Sequence, residues 1–449
     1  MLESLKKMML EVGMEPRQEV LNLLRGEDST VKIPSKVEKK FDRIPNKKFQ
    51  VIHENPAVAK ELCMVILSNF SDTWSKSFNV SDSSSARNGY KRLYSRILAS
   101  QVQYNCKKSS PYKRILELLI EEGIIEAGAK YSVEHGRSNE YKLTKIYYGK
   151  GVVSYILKTA EVKKLRGRDF VYNFERAIQT NLGRNSLMLR SLVTFPTTEA
   201  VRQHLKRAVK YKYTNKKGKR LIELKKNSKN TYPETEYVYL EDYLVLFEYL
   251  RDHLKIPIVS PFMADERIID GFNMMPSLIR QLFTIHGRPI VESDYVCLHP
   301  NIAQMLYSDI NYEGITHDKV ADWLCVDRAV AKVEHLSYFN KTWEQLERSP
   351  LHEFYMNNDH RMMENICKEK AEKGYKSTSR ELFRVETNMM ELVVRELNSR
   401  GIIVMYVFDA IYSADTSGDE VAEVMNQVAS RYKVRTEVKV KNVNLSKAA

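Results

Sequence analysis

Two aspartates in the last third of the chain stand where strands could deliver their carboxylates to one place. Asp294 lies near the end of the run Pro289-Ile290-Val291-Glu292-Ser293-Asp294-Tyr295, and Asp409 interrupts an apolar run from Ile402 to Phe408 that Ala410-Ile411-Tyr412 resumes. Between them in sequence, Arg328 and Lys332 are four residues apart, which sets both on one side of a helix. Two strand-borne carboxylates with a pair of helical cations suit metal-dependent nucleotidyl transfer. The carboxylates would hold two divalent ions about 4 Å apart, stabilising the attacking and leaving oxygens, while the cations neutralise a triphosphate.

Taken singly, each feature has a plainer explanation. Asp294 is equally an ordinary surface aspartate, and cations at helical spacing are usually a solvated stripe. Asp409 is the strongest position, because a carboxylate inside an apolar run is costly unless a metal or a partner compensates. A strand-end turn or a buried ion pair is the alternative there.

The elements that must position these residues can be read from periodicity. Val291, Ser293 and Tyr295 alternate with Glu292 and Asp294, so a strand puts both acids on one face. Pro300 cannot continue a ladder, and the spacing of Ile302, Met305 and Leu306 predicts a helix starting there. Asp322 to Tyr338 has helical spacing, with Arg328, Lys332 and Leu336 along one face. Glu381 to Arg400 reads as an amphipathic helix ended by Gly401, and Ile402 to Phe408 as a buried strand. Residues 416–419 form a turn leading to a helix over 420–432 and a final alternating strand over 434–440.

Upstream, the pattern carries less chemistry. Residues 1–85 mix short amphipathic stretches with Lys-rich connections, and residues 71–85 read as a Ser-rich link. Residues 86–152 give helix, short strand and hairpin, with a helical stretch from Tyr90 to Gln103, another from Pro111 to Ile120, and a turn over 135–139. That order resembles a winged-helix module, used both to contact duplex DNA and as a packing unit. Residues 153–264 are mainly helical and hold the most basic stretch. Lys206, Arg207, Lys210, Lys212, Lys216, Lys217, Lys219 and Arg220 are interleaved there with Tyr211 and Tyr213. Cations alternating with aromatics suit a phosphate backbone, and a solvated hairpin around 215–218 is the alternative.

The 449 residues exceed one hydrophobic core, and 71 Lys and Arg against 57 Asp and Glu give +14, which fits a polyanionic partner. Five scattered cysteines without C-x-x-C spacing argue against a disulfide framework or a zinc site and for a reducing compartment. No apolar run approaches the roughly 18 residues of a membrane span, so a soluble, cytoplasmic protein is expected, without a membrane partner.

The C-terminal part, residues 265–449, resembles the palm and fingers of single-subunit right-handed polymerases, the group of family A DNA polymerases and phage-type RNA polymerases. Asp294-Tyr295 looks like their first catalytic motif, in which the carbonyl beside the aspartate assists the metals. Arg328-x-x-x-Lys332-x-x-x-Leu336-x-x-x-Asn340 looks like the fingers helix, and Asp409 like the second metal-binding aspartate at the tip of a strand-turn-strand. Arg280, Gly287-Arg288-Pro289 and Glu386 are more loosely similar to polymerase-like proteins of phages and mobile elements. Three departures are visible. Phe408 stands where the family has histidine, no aromatic falls at Leu336 or Asn340, and the short distance between motifs implies reduced fingers. Tyr338 or Phe339 would then stack on the base.

The resemblance implies an α+β fold: a palm with a fingers insertion at about 301–380 and a helical, basic thumb before it. It implies a DNA polymerase using two Mg2+ (or Mn2+) ions at Asp294 and Asp409, nucleoside triphosphates held by Arg328, Lys332, Leu336 and Tyr295, and a DNA template. His299 falls where a bulky residue excludes a ribose 2'-hydroxyl, which favours deoxynucleotides. No acid-rich exonuclease pattern precedes the palm, so no proofreading is expected. A single-subunit RNA polymerase or primase is one alternative, and a non-catalytic DNA-binding replication or transcription factor is another.

Overall fold

The computed structural model describes residues 2–16, 30–70, 91–102, 111–132, 139–144, 146–147, 152–215, 218–223, 236–252, 258–259, 267–308 and 313–442. The chain mixes helix and sheet and divides into two compact units, Met1–Glu175 with Thr198–Leu254 and Arg176–Thr197 with Lys255–Ala449. The boundaries expected at 85 and 152 therefore fall inside the first unit. Residues 176–197, read from the sequence as part of a thumb-like region, group with the second.

In the first unit one apolar cluster runs from Val31 to Leu165 and includes Phe41, Phe49, Leu62, Leu119 and Leu143. Residues 31–70 thus share a core with described parts of the chain as far as Leu165. A helix over Pro56–Leu67 precedes a strand (Lys91–Arg92), helices Ser95–Val102 and Tyr112–Glu121, and strands Ile125–Ala127 and Glu140–Leu143. The last strand lies between the other two in a three-stranded antiparallel sheet. The helix expected from Tyr90 begins only at Ser95, after that short strand. The outward face of Tyr112–Glu121 carries Lys113, Arg114, Glu117 and Glu121, so its charge is balanced rather than basic. The link at 71–85 and residues 133–138 of the hairpin turn lie outside the described residues.

The second unit is built on α1 (Asn181–Leu192), β1 (Val193–Thr194), β2 (Thr284–Ile285), β3 (Arg288–Tyr295), α2 (Leu298–Tyr307), α3 (His317–Leu324) and α4 (Arg328–His335). It continues with α5 (Ser377–Ser399), β4 (Val404–Val407), β5 (Ala410–Ala414), α6 (Gly418–Arg431) and β6 (Val438–Asn442). The strands form an antiparallel sheet in the order β4-β5-β3-β2-β1, with β6 also paired to β3. Strand β3 is consequently central, hydrogen-bonded to β5 on Ile290–Asp294 and to β6 on Val291–Tyr295.

Side-chain alternation gives the sheet two unlike faces. Val291, Ser293 and Tyr295 are buried, whereas Glu292 and Asp294 remain partly exposed, as the alternation predicts. Tyr295, Tyr406 and Ile411 join an apolar cluster with Met389 and Val393 of α5 and Val421 and Met425 of α6. The opposite face carries Glu292 and Asp294. Directly paired residues of antiparallel strands share a face, so Ala410, Tyr412, Lys439 and Lys441 stand on it too.

Two tight hairpins set the register. His286 and Gly287, at φ 51° and 75°, make the two-residue loop from β2 to β3, with both central residues left-handed as the strand twist favours. Phe408 and Asp409 make the loop from β4 to β5, with Phe408 at φ 56°. A bulky side chain in that region is strained and persists only where the surroundings hold it.

Several boundaries differ from the periodic reading. The helix expected from Pro300 starts at Leu298, because Cys297 already turns the chain at φ 55°. The last strand is Val438–Asn442 rather than 434–440, and the apolar run before Asp409 is a strand only over Val404–Val407. The single helix expected from Asp322 to Tyr338 is two: Cys325, at φ 53°, ends α3 with its N–H on the Ala321 and Asp322 carbonyls, and Asp327 is extended before α4. Periodicity misses this break because each short helix keeps its own buried pair, Val320 and Ala321 in α3 and Ala331 and His335 in α4.

Helix α5 ends as expected, with Gly401 at φ 75° just beyond it. Its Glu391 accepts the Asn181 and Leu182 N–H groups at 2.6 and 3.1 Å, satisfying the first turn of α1. Asn185 of α1 in turn donates to the Val404 carbonyl of the edge strand β4 at 2.9 Å. Glu391→Ala is expected to cost about 1–2 kcal/mol in urea unfolding, with Glu391→Gln recovering part of the loss because an amide oxygen still accepts.

Candidate active site

Asp294 and Asp409 come together because β3 and β5 are neighbours. Asp294 pairs with Ala410, the residue after Asp409, and the Tyr295 N–H donates to the Asp409 carbonyl at 3.3 Å. Burial pushes the Asp409 carboxyl up to about 7, and the negative charges of Asp294 and Glu386 push the same way, against an opposing effect of His299. The charge of Asp294 thus bears on Asp409, as a like charge at one site does.

A buried network borders Asp409. Glu386 of α5 is fully buried, and its Oε2 receives both Arg267, at 2.7 Å, and His299 Nε2, at 2.6 Å. Burial pushes the Glu386 carboxyl up, but Arg267 and His299 outweigh it and hold the group below its ordinary value. The Arg267 guanidinium stacks 3.7 Å from the Phe383 ring centroid and 5.0 Å from that of Phe408. Phe408 thus packs on a cation, which helps to hold its left-handed backbone. Glu386 Oε1 is buried without a hydrogen-bond partner.

On the open sheet face, Tyr412 donates to Glu292 at 2.7 Å, and the Arg280 guanidinium lies 5.0 Å from the Tyr412 ring centroid. Arg280 is buried, and its Nε and one terminal nitrogen have no hydrogen-bond partner. Lys441 places its ammonium 2.6 Å from Asp294 Oδ2. The Asp294 side chain keeps 17% exposure and that of Lys441 48%, so the pair opens to solvent.

The expected nucleotide-binding residues divide into groups. Arg328 opens α4 on an exposed face, its Nε 2.9 Å from Asp318 in a pair that is exposed on both sides and therefore weak. Arg328 and Lys332 are both among the charges acting on Cys297, three residues beyond Asp294, and on His317. Cys297 is pushed up to about 12 by burial first, and His317 down to about 4 by burial and its neighbour His335, so His317 stays neutral. Leu336 lies just past α4 and is 64% exposed.

The Tyr295 ring is buried on the helix-covered face and its hydroxyl donates to the Met425 carbonyl at 2.6 Å, so only its backbone, the part the resemblance uses, stands beside the aspartates. One expectation needs correction: Tyr338 and Phe339 cannot stack on a base, because both are core residues packed around Tyr355. The sequence shows aromatics there, but no sign of which way they turn.

The basic stretch belongs to the first unit. Lys206, Arg207, Lys210, Lys212 and Arg220 are exposed, Lys219 is half-buried, and Lys216 and Lys217 lie outside the described residues. Thr214 is bridged to Arg220, and the Asn215 N–H donates to the Lys219 carbonyl.

Among the described residues no set of three or more His, Cys, Asp or Glu side chains converges on a metal position. Asp294 and Asp409 fit a divalent ion of the Mg2+ kind, which takes one or two carboxylates and completes its shell with water and phosphate oxygens. The ammonium of Lys441 on Asp294 shows that this carboxylate accepts a cation. His299 and Glu386 were legible as single residues, while Arg267, Tyr412 and Lys441 carried no motif and emerge only from the fold. No helix among the described residues is long and apolar enough to cross a membrane.

A carboxyl whose folded value is raised keeps its proton in the folded state between its ordinary value and about 7, so stability falls as pH rises through that window. Asp409→Asn is expected to be more stable than the parent at pH 8, by about 1–3 kcal/mol, with the difference shrinking towards pH 4. Urea unfolding across that range measures it. Divalent-ion affinity of the parent should rise over the same interval, since the ion needs the carboxylate.

The sequence matches no protein-family model and no curated relative.

Proposed function

We propose that the chain is a template-directed nucleotidyltransferase of the right-handed, single-subunit polymerase type, extending DNA with deoxynucleotides in the cytoplasm. One observation carries this reading: Asp294 on β3 lies beside Asp409 in the loop that enters the neighbouring strand β5, with the Asp409 carboxyl raised towards neutrality by burial and by Asp294. A carboxyl raised towards neutrality beside a second, partly exposed carboxylate supports a working site.

Mg2+ bound to the two aspartates would activate the attacking 3'-hydroxyl and neutralise charge on the triphosphate. Asp294 and Asp409 orient that chemistry from a rigid sheet. Arg328 and Lys332, on one face of α4, meet the triphosphate, Arg328 exchanging Asp318 for phosphate oxygens. His299, held by Glu386 at 2.6 Å, has too little freedom to swing aside for a ribose 2'-hydroxyl. The second unit takes the part of the palm with shortened fingers. The basic stretch and the winged-helix-like module of the first unit are candidates for holding the template.

A non-catalytic DNA-binding factor is the second reading, favoured by Lys441 lying on Asp294 and by Phe408 in place of histidine. A ribonucleotide polymerase or primase is the third. Primer extension with Mg2+ separates them. The parent should extend a primed DNA template with deoxynucleotides, and Asp294→Asn and Asp409→Asn should each lose about a hundredfold or more. His299→Ala should raise ribonucleotide incorporation relative to deoxynucleotide. No extension with either nucleotide set, alongside DNA binding unchanged in Asp294→Asn, would move the assignment to the non-catalytic factor.

A further inference from the structure

Lys441 is a cation of the open sheet face whose position the polymerase reading does not use. Its direct cross-strand partner on β3 is Glu292, and the residue opposite Asp294 is Lys439. Yet Lys439 turns to Glu437, 3.5 Å away, and Lys441 reaches diagonally along the sheet to Asp294 at 2.6 Å. The diagonal is within range of a long side chain. At that point its ammonium sits in the combined field of Asp294, Glu292 and Asp409.

We propose that Lys441 is a tethered countercation, occupying the metal-facing side of Asp294 until a divalent ion displaces it. The inference rests on the reading of Asp294 and Asp409 as metal ligands. Mg2+ lies about 2.1 Å from a carboxylate oxygen. With the ammonium 2.6 Å from Oδ2, a dication on the same oxygen would be about 3–4 Å from it, and the two would repel. One of them has to leave. Lys441 can, because about half of its side chain already faces solvent and its four-carbon stem is flexible.

Ion exchange at Asp294 is then one divalent cation in and one ammonium out.

Mn2+ binding, followed by electron paramagnetic resonance at fixed ionic strength and pH 8, tests this on the full chain. Lys441→Met should bind Mn2+ about fivefold more tightly than the parent, the scale of a partly exposed ion pair, and Asp294→Asn should lose binding. A second measurement uses the parent alone: amine-directed chemical labelling read by mass spectrometry should modify Lys441 slowly without metal and faster at saturating Mn2+. Unchanged or weaker Mn2+ affinity in Lys441→Met, or labelling that does not accelerate with the ion, overturns the displacement while Asp294-dependent binding keeps the metal reading intact. Absence of Mn2+ binding in both the parent and Lys441→Met overturns the two together.

Discussion

Two like-charged carboxylates, one on β3 and one in the tight loop that enters the adjacent strand β5, are the constraint around which the second unit is arranged. Left alone, such a pair repels, and burial makes the repulsion worse because water no longer screens it. The structure answers with two cations and a histidine placed from different directions. Lys441 meets Asp294 from β6, and Arg267 and His299 meet Glu386 beside Asp409. Each of these comes from a segment distant in sequence, so the site exists only once the sheet has closed.

The sheet keeps its chemistry on one face by covering the other. Helices α5 and α6 bury Tyr295, Tyr406 and Ile411, and the period of two along β3 then obliges Glu292 and Asp294 to point away from the core. A shift of register by one residue would bury both acids and expose Val291 and Tyr295. The short loops at His286-Gly287 and Phe408-Asp409 prevent that slip, the second at the cost of a bulky residue in a left-handed conformation. Strain at that loop sits beside the residue with the most perturbed carboxyl, where backbone strain tends to accumulate in functional sites.

The interval between the two aspartates obeys a different rule. The region expected to be one fingers helix is two short ones, because Cys325 turns left-handed after Leu324. The break leaves Arg328 at the exposed first position of α4 and sinks Tyr338 and Phe339 into the core around Tyr355. The interval keeps the pair of cations on one helix face and buries both aromatics.

The sequence by itself determined the strand of alternating acids, the helix ended by Gly401, the apolar run broken at Asp409 and the four-residue spacing of Arg328 and Lys332. All of these are local, set by side-chain periodicity and by backbone preferences within a few residues. Tertiary structure decided which strands became neighbours, which way Tyr295, Tyr338 and Phe339 turned, and that Lys441 rather than Lys439 meets Asp294. Most of those outcomes depend on pairing between segments more than a hundred residues apart, as between Asp294 and Asp409 or Asp294 and Lys441, and no local pattern encodes such a pairing. The same distance explains why the neutral-range titration of Asp409 is invisible in the sequence: it arises from charges and burial that other parts of the chain bring to it.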